Sequence, residues 1–102
     1  MGEFVTVGQA GEIGEGEKKV YKVDDKPVVV ARIDGTLYAF SDICTHQGCN
    51  LSPSDIEGTE IECECHGSVF DVTTGAVVNP PAREPLPVFN VREEGGDLQI
   101  AP

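Results

Sequence analysis

Residues 28–40 read Val28-Val29-Val30-Ala31-Arg32-Ile33-Asp34-Gly35-Thr36-Leu37-Tyr38-Ala39-Phe40. Two runs rich in β-branched and aromatic residues flank Asp34-Gly35. A two-residue hairpin turn favours positive φ at both positions, which Asp and Gly tolerate. The stretch therefore predicts an antiparallel hairpin of strands 28–33 and 36–40. Its first strand is apolar at four successive positions, the mark of a buried strand rather than a half-exposed one.

The same pattern continues in both directions. Upstream, 4–7 opens as a strand, a Gly- and Glu-rich loop covers 8–16, and 18–23 alternates polar with apolar residues before a turn at Asp24-Asp25-Lys26-Pro27. Downstream, Glu57-Gly58 predicts a tight turn before 59–62. Residues 69–72 are extended, and Thr73-Thr74-Gly75 turns into 76–78. The stretch 79–87 holds four prolines and predicts an ordered, extended loop; 88–92 and 98–101 form a hairpin about Glu94-Gly95-Gly96. No stretch carries a helical period. Eight to ten short strands with close turns imply an all-β fold, an antiparallel sandwich or barrel. The chain, 1–102, is expected to be a single domain, with 43–68 inserted as a small subdomain carrying its own chemistry.

Composition narrows the function classes. With 102 residues, 39% hydrophobic, 12 Gly, 7 Pro and no Trp, the core is modest, and domains of this size often gain stability from a metal or a disulfide. The N-terminus Met1-Gly2-Glu3-Phe4 has no basic or apolar signal region. The longest apolar run, 27–31, has strand length rather than the roughly 20 residues a bilayer requires. A cytoplasmic location without membrane contact is expected. The 18 acidic residues against 7 basic give a formal charge of −11, which disfavours nucleic acid, since phosphate contacts need Lys and Arg. An acidic chain suits a basic docking surface on a protein partner, because opposite fields speed encounter. Solubility alone would equally account for the charge.

All four cysteines and both histidines lie between positions 44 and 66, as Cys44-Thr45-His46, Cys49 and Cys63-Glu64-Cys65-His66. Residues serving only packing would scatter, so this confinement to two short segments points to a shared metal centre. Two thiolates and two imidazoles fit either zinc or an iron–sulfur cluster. Structural zinc sites usually open with two Cys separated by two to four residues. Here the first pair is Cys-x-His. Alternating residues of an extended loop diverge, which suits ligands on two irons better than ligands on one ion. Pairing Cys44 with Cys63 and His46 with His66 takes one ligand of each kind from each loop. Two loops clamped on one cluster would bring Cys49 and Cys65 close enough for a disulfide. In the chain-entropy model such a bridge, closing about 15 residues, contributes roughly 3 kcal/mol. Disulfides are unusual in a reducing cytosol.

Cys44-Thr45-His46-Gln47-Gly48-Cys49 and Cys63-Glu64-Cys65-His66-Gly67-Ser68 resemble the two boxes of Rieske iron–sulfur proteins. Asn79-Pro80-Pro81-Ala82-Arg83-Glu84-Pro85 is similar to that family's proline loop, which covers the cluster. The resemblance implies a Rieske fold and one 2Fe–2S cluster, with Cys44 and Cys63 on one iron and His46 and His66 on the other. Length and lack of an anchor resemble the Rieske ferredoxins that serve aromatic-ring dioxygenases. The Cys49/Cys65 pair resembles instead the membrane-anchored subunits of quinol-oxidising complexes. In those, residues matching Ser68 and Phe70 are Ser and Tyr, whose hydroxyls donate to cluster sulfurs. Ser68 keeps its hydroxyl, Phe70 cannot donate, and Glu64 stands where proline is common.

The resemblance implies a one-electron carrier, expected to be a monomer, passing electrons from a reductase to a terminal oxygenase or similar oxidoreductase. The alternatives are a small subunit or redox-sensing module of a larger oxidoreductase, or a structural zinc module. A Rieske oxygenase itself would need a second iron held by two further His and a carboxylate. This chain has two His in all, so it is expected not to be an enzyme. Two neutral imidazoles in place of two thiolates leave an oxidised cluster uncharged and easier to reduce. Rieske centres accordingly span about −150 to +300 mV, against roughly −400 mV for plant-type ferredoxins. Hydrogen bonds to sulfur raise the potential and nearby negative charge lowers it. Ser68 therefore acts against Phe70 and Glu64. Voltammetry is expected to give a value inside that span and below the quinol-oxidising centres, falling at alkaline pH as the outer ring nitrogens of His46 and His66 lose protons.

Overall fold

The computed structural model describes residues 4–43, 49–65, 67–80 and 82–101. Ten strands follow in order: β1 (Val5–Gln9), β2 (Lys18–Val23), β3 (Lys26–Ile33), β4 (Thr36–Ser41), β5 (Ile56–Glu57), β6 (Glu60–Glu62), β7 (Val69–Asp71), β8 (Val77–Asn79), β9 (Val88–Glu94) and β10 (Asp97–Ala101). Six form one antiparallel sheet in the order β1-β10-β9-β4-β3-β2, and four form a second in the order β5-β6-β7-β8. The larger sheet curls into a nearly closed barrel. At its seam Tyr21 of β2 lies over Gly8 of β1, where a Cβ would stand 3.2 Å from the tyrosine ring. Strands β5 and β6 fall in the expected insert at 43–68, and β7 and β8 complete the same sheet from beyond it.

The hairpin that decides the fold forms as its residues require. Asp34 and Gly35 take φ of 51° and 79°, and Ile33 faces Thr36 across the turn. Side chains along β3 then alternate between two cores. Val28 and Val30 enter the barrel core with Ala39, Leu98 and Ile100. Val29 and Ala31 enter a second core with Phe40, Leu51, Ile61, Phe70, Val72 and Leu86. The unbroken apolar run is thus a strand covered on both sides, each fully buried valine contributing about 1.5–3 kcal/mol.

Several boundaries differ from the sequence expectation. The Gly-rich segment after β1 is ordered by a 3-10 turn (Ala10–Glu12) whose Glu12 accepts from the Gln9 N–H at 2.7 Å. Arg32 pins that segment from the hairpin, Nε donating to the Ile13 carbonyl at 2.7 Å and Nη2 to that of Ala10 at 3.0 Å. The β2–β3 turn is only Asp24-Asp25, both at positive φ, so Lys26 and Pro27 belong to β3. In the second sheet the turn is Gly58-Thr59, because Ile56 and Glu57 pair with Ile61 and Glu60. No described helix is long and apolar enough to cross a membrane.

The proline-rich segment is held against the second sheet. Ala82 and Leu86 are buried, and the Leu86 N–H donates to the Gly75 carbonyl at 2.7 Å. Gly75 sits at φ +83°, and a Cβ there would collide with the Leu86 carbonyl oxygen. Gly75→Ala is expected to lose at least about 2 kcal/mol of stability, from left-handed strain plus that collision. Urea denaturation measures this directly.

Candidate metal centre

Both cysteine- and histidine-bearing segments grow from ends of antiparallel pairs. The first is closed at its base by a bridge between Ile43 and Asn50. Just before it Asp42, only 2% exposed, gathers the returning chain. Its Oδ2 accepts from Asn50 Nδ2 at 2.7 Å, and its Oδ1 from the Leu51 N–H at 3.0 Å and the Ser52 N–H at 2.6 Å. A buried carboxylate without hydrogen bonds would cost several kcal/mol; these three donors satisfy it. The second segment is the tip of the β6–β7 hairpin. The Cys63 N–H donates to the Ser68 carbonyl at 2.7 Å and the Gly67 N–H to the Cys63 carbonyl at 2.9 Å. Gly67, at φ +78°, supplies the left-handed residue this reversal needs.

A disulfide between Cys49 and Cys65 staples one segment to the other. Cys63 lies beside it, 1% exposed, with the three sulfurs within 4.8 Å of one another. Cys63 also belongs to the second core with Leu51, Ile61, Phe70 and Ala82. The expected ligands Cys44, His46 and His66 lie outside the described residues. Ser68 is fully buried, and its Oγ accepts the Ala82 N–H at 3.0 Å. That bond ties the second segment to the proline-rich loop and leaves the hydroxyl hydrogen for another acceptor. Phe70 is fully buried, and Glu64 is exposed on the tip. Asp42 carries no sequence signal, since a lone acid in a turn-rich stretch reads as solvated until the fold buries it.

Comparison with known proteins settles the family. The model of the Rieske [2Fe-2S] domain matches residues 3–90. The chain belongs to the Rieske [2Fe-2S] family. Among its Rieske relatives, the biphenyl dioxygenase ferredoxin subunit of Pseudomonas sp. (strain KKS102) is 35% identical over 95% of this chain and 90% of that protein. The ferredoxin of carbazole 1,9a-dioxygenase from Nocardioides aromaticivorans IC177 superposes with a TM-score of 0.89 at 31% identity, covering 97% of each chain. A ferredoxin solved in a complex of reduced oxygenase and oxidised ferredoxin of carbazole 1,9a-dioxygenase gives 0.87 at 33% identity, covering 96% of this chain and 92% of that one.

The cofactor is a Rieske-type [2Fe–2S] cluster, and the Rieske chain is an electron-transfer protein rather than an enzyme. The described residues fit that group. Cys63 offers a soft thiolate at the junction of two stapled segments, in an apolar surround that limits water. Two substitutions test the supports. Asp42→Ala is expected to cost about 1–3 kcal/mol by removing the acceptor of the part-buried Ser52 N–H and of the Asn50 side-chain amide, and to lower iron retained per chain on gel filtration. Ser68→Ala removes the acceptor of the Ala82 N–H, a loss of about 1–3 kcal/mol, and is expected to lower the potential in voltammetry.

Proposed function

We propose that this chain is a ferredoxin-type one-electron carrier between a reductase and a terminal oxygenase or comparable oxidoreductase. It acts as a cytoplasmic monomer, a single Rieske domain over 1–102. In this reading Cys44 and Cys63 hold one iron, His46 and His66 the other, and Ser68 donates its hydroxyl hydrogen toward a cluster sulfur. When bound, the cluster supplies reversible one-electron chemistry.

The observation that carries the reading is the stapled pair of segments, with the buried Cys63 within 4.8 Å of the Cys49–Cys65 bridge. The two ligand boxes are fastened at their bases by Asp42 and by the Cys63–Ser68 pairing. Such fixed ends keep a ligand set from rearranging when charge changes, which favours rapid transfer. The Ser68–Ala82 bond ties the proline-rich loop to the second segment. Support for the partner class comes from likeness to ferredoxins of dioxygenase systems, one of them solved with its oxygenase.

After anaerobic reconstitution with iron and sulfide, the dithionite-reduced protein is expected to give the EPR signal of a histidine-ligated 2Fe–2S centre. It should then be reoxidised in stopped flow by the terminal oxygenase of an aromatic-ring dioxygenase system. Cys63→Ser and His66→Ala are each expected to abolish the signal. A colourless protein holding one tetrahedral zinc would end the proposal, and a normal EPR signal without reoxidation would exclude the oxygenase as acceptor.

A further inference from the structure

The bridge that staples the two segments also masks metal donors. Cys49 is half-buried and Cys65 exposed, and their sulfurs stand with that of the buried Cys63 within 4.8 Å of one another. No other three side chains of metal-ligating type among the described residues gather this closely. The thiolate is the form of cysteine that binds a metal. With the bridge closed, Cys63 is therefore the single ligand of the three.

Opening the bridge changes the donor set without dismantling its frame. Cys63 is held by its own N–H on the Ser68 carbonyl and by the Gly67 N–H on its carbonyl, and Cys65 lies between those residues on the same tip. Cys49 precedes Asn50, which is fastened to Asp42 through its side chain and to Ile43 through the β-bridge. None of these bonds uses a sulfur. Thiolates about 2.3 Å from one ion stand up to about 4 Å from each other. Side-chain rotation brings sulfurs already gathered within 4.8 Å to that spacing. Three soft sulfurs favour a soft closed-shell cation over ferrous iron, which lies low in the affinity order of divalent metals.

We infer that Cys49, Cys63 and Cys65, once their bridge is reduced, form a three-thiolate site for a soft closed-shell cation of the zinc and cadmium class. A dithiol opens it: the Cys49–Cys65 S–S bond breaks, the dithiol is oxidised to its own disulfide, and its two protons pass to the freed thiols. The incoming cation takes the Cys63 thiolate and displaces the protons of Cys49 and Cys65 to solvent. With Cys63 also an iron ligand, this site and the cluster exclude each other. The state of the bridge thus sets which metal the tip accepts.

The test treats cluster-loaded protein anaerobically with dithiothreitol, removes the reductant by desalting and titrates with cadmium(II). Reduced protein is expected to hold one cadmium per chain and to lose its visible absorption, while untreated protein binds at least about tenfold more weakly. Cadmium-edge X-ray absorption should count three sulfurs and no imidazole nitrogen. Cys49→Ser has neither the bridge nor the third thiolate, and should bind at least about tenfold more weakly than the reduced chain. Equal binding before and after reduction, imidazole or a different sulfur count in the cadmium shell, or full affinity in Cys49→Ser would overturn the site. The sulfur count is read on the unsubstituted chain, so it decides even where the variant fails to fold.

Discussion

Strand β3 is a wall shared by two cores, and the remaining structure is arranged around it. Val28 and Val30 close the barrel, while Val29 and Ala31 floor the sheet that carries the metal centre. A strand used this way has no solvent face, so every position from Val28 to Ala31 must be apolar and of suitable size. The metal-bearing subdomain is consequently not a loosely tethered loop. It packs on residues that the barrel cannot release without opening itself. Phe40 of β4 strengthens the junction, being fully buried in the subdomain core while its neighbour Ala39 faces the barrel.

On that wall the site is assembled from fastenings of different kinds. Asp42 binds the base of the first segment through three N–H donors, the disulfide crosses between segments, and Ser68 joins the second segment to the proline-rich loop. None of the three depends on another for its partners. A centre held at several independent points resists rearrangement on gaining charge, which is what single-electron exchange at a protein surface demands.

Much of this is legible in the sequence because the decisive signals are local. Asp34-Gly35 fixes its turn by backbone preference alone, and the crowding of cysteine and histidine between 44 and 66 marks a metal centre without any knowledge of the fold. The Cys49–Cys65 bridge follows from clamping the two boxes together. What escapes is set by tertiary contact. Ile56-Glu57 is too short to announce a strand and exists because Ile61 and Glu60 pair with it. Pro27 looks like a turn residue but enters β3, where its carbonyl accepts the Asp42 N–H at 3.0 Å. Asp42 acquires its character only through burial, which no neighbouring residue foretells.

The seam of the barrel has a consequence for how copies of the chain behave at high concentration. Strands β1 and β2 approach there but are the two ends of the sheet order, so each leaves a ladder incompletely used. Such edges invite pairing with another molecule. Lys18, Lys19 and Lys22 all lie on β2, three of the seven cations in a strongly acidic protein. A second β2 laid antiparallel against this one would set lysine near lysine, so the strand repels its own image. The exposed Val20 between them, 45% accessible, can thus remain at the surface without becoming the nucleus of self-association.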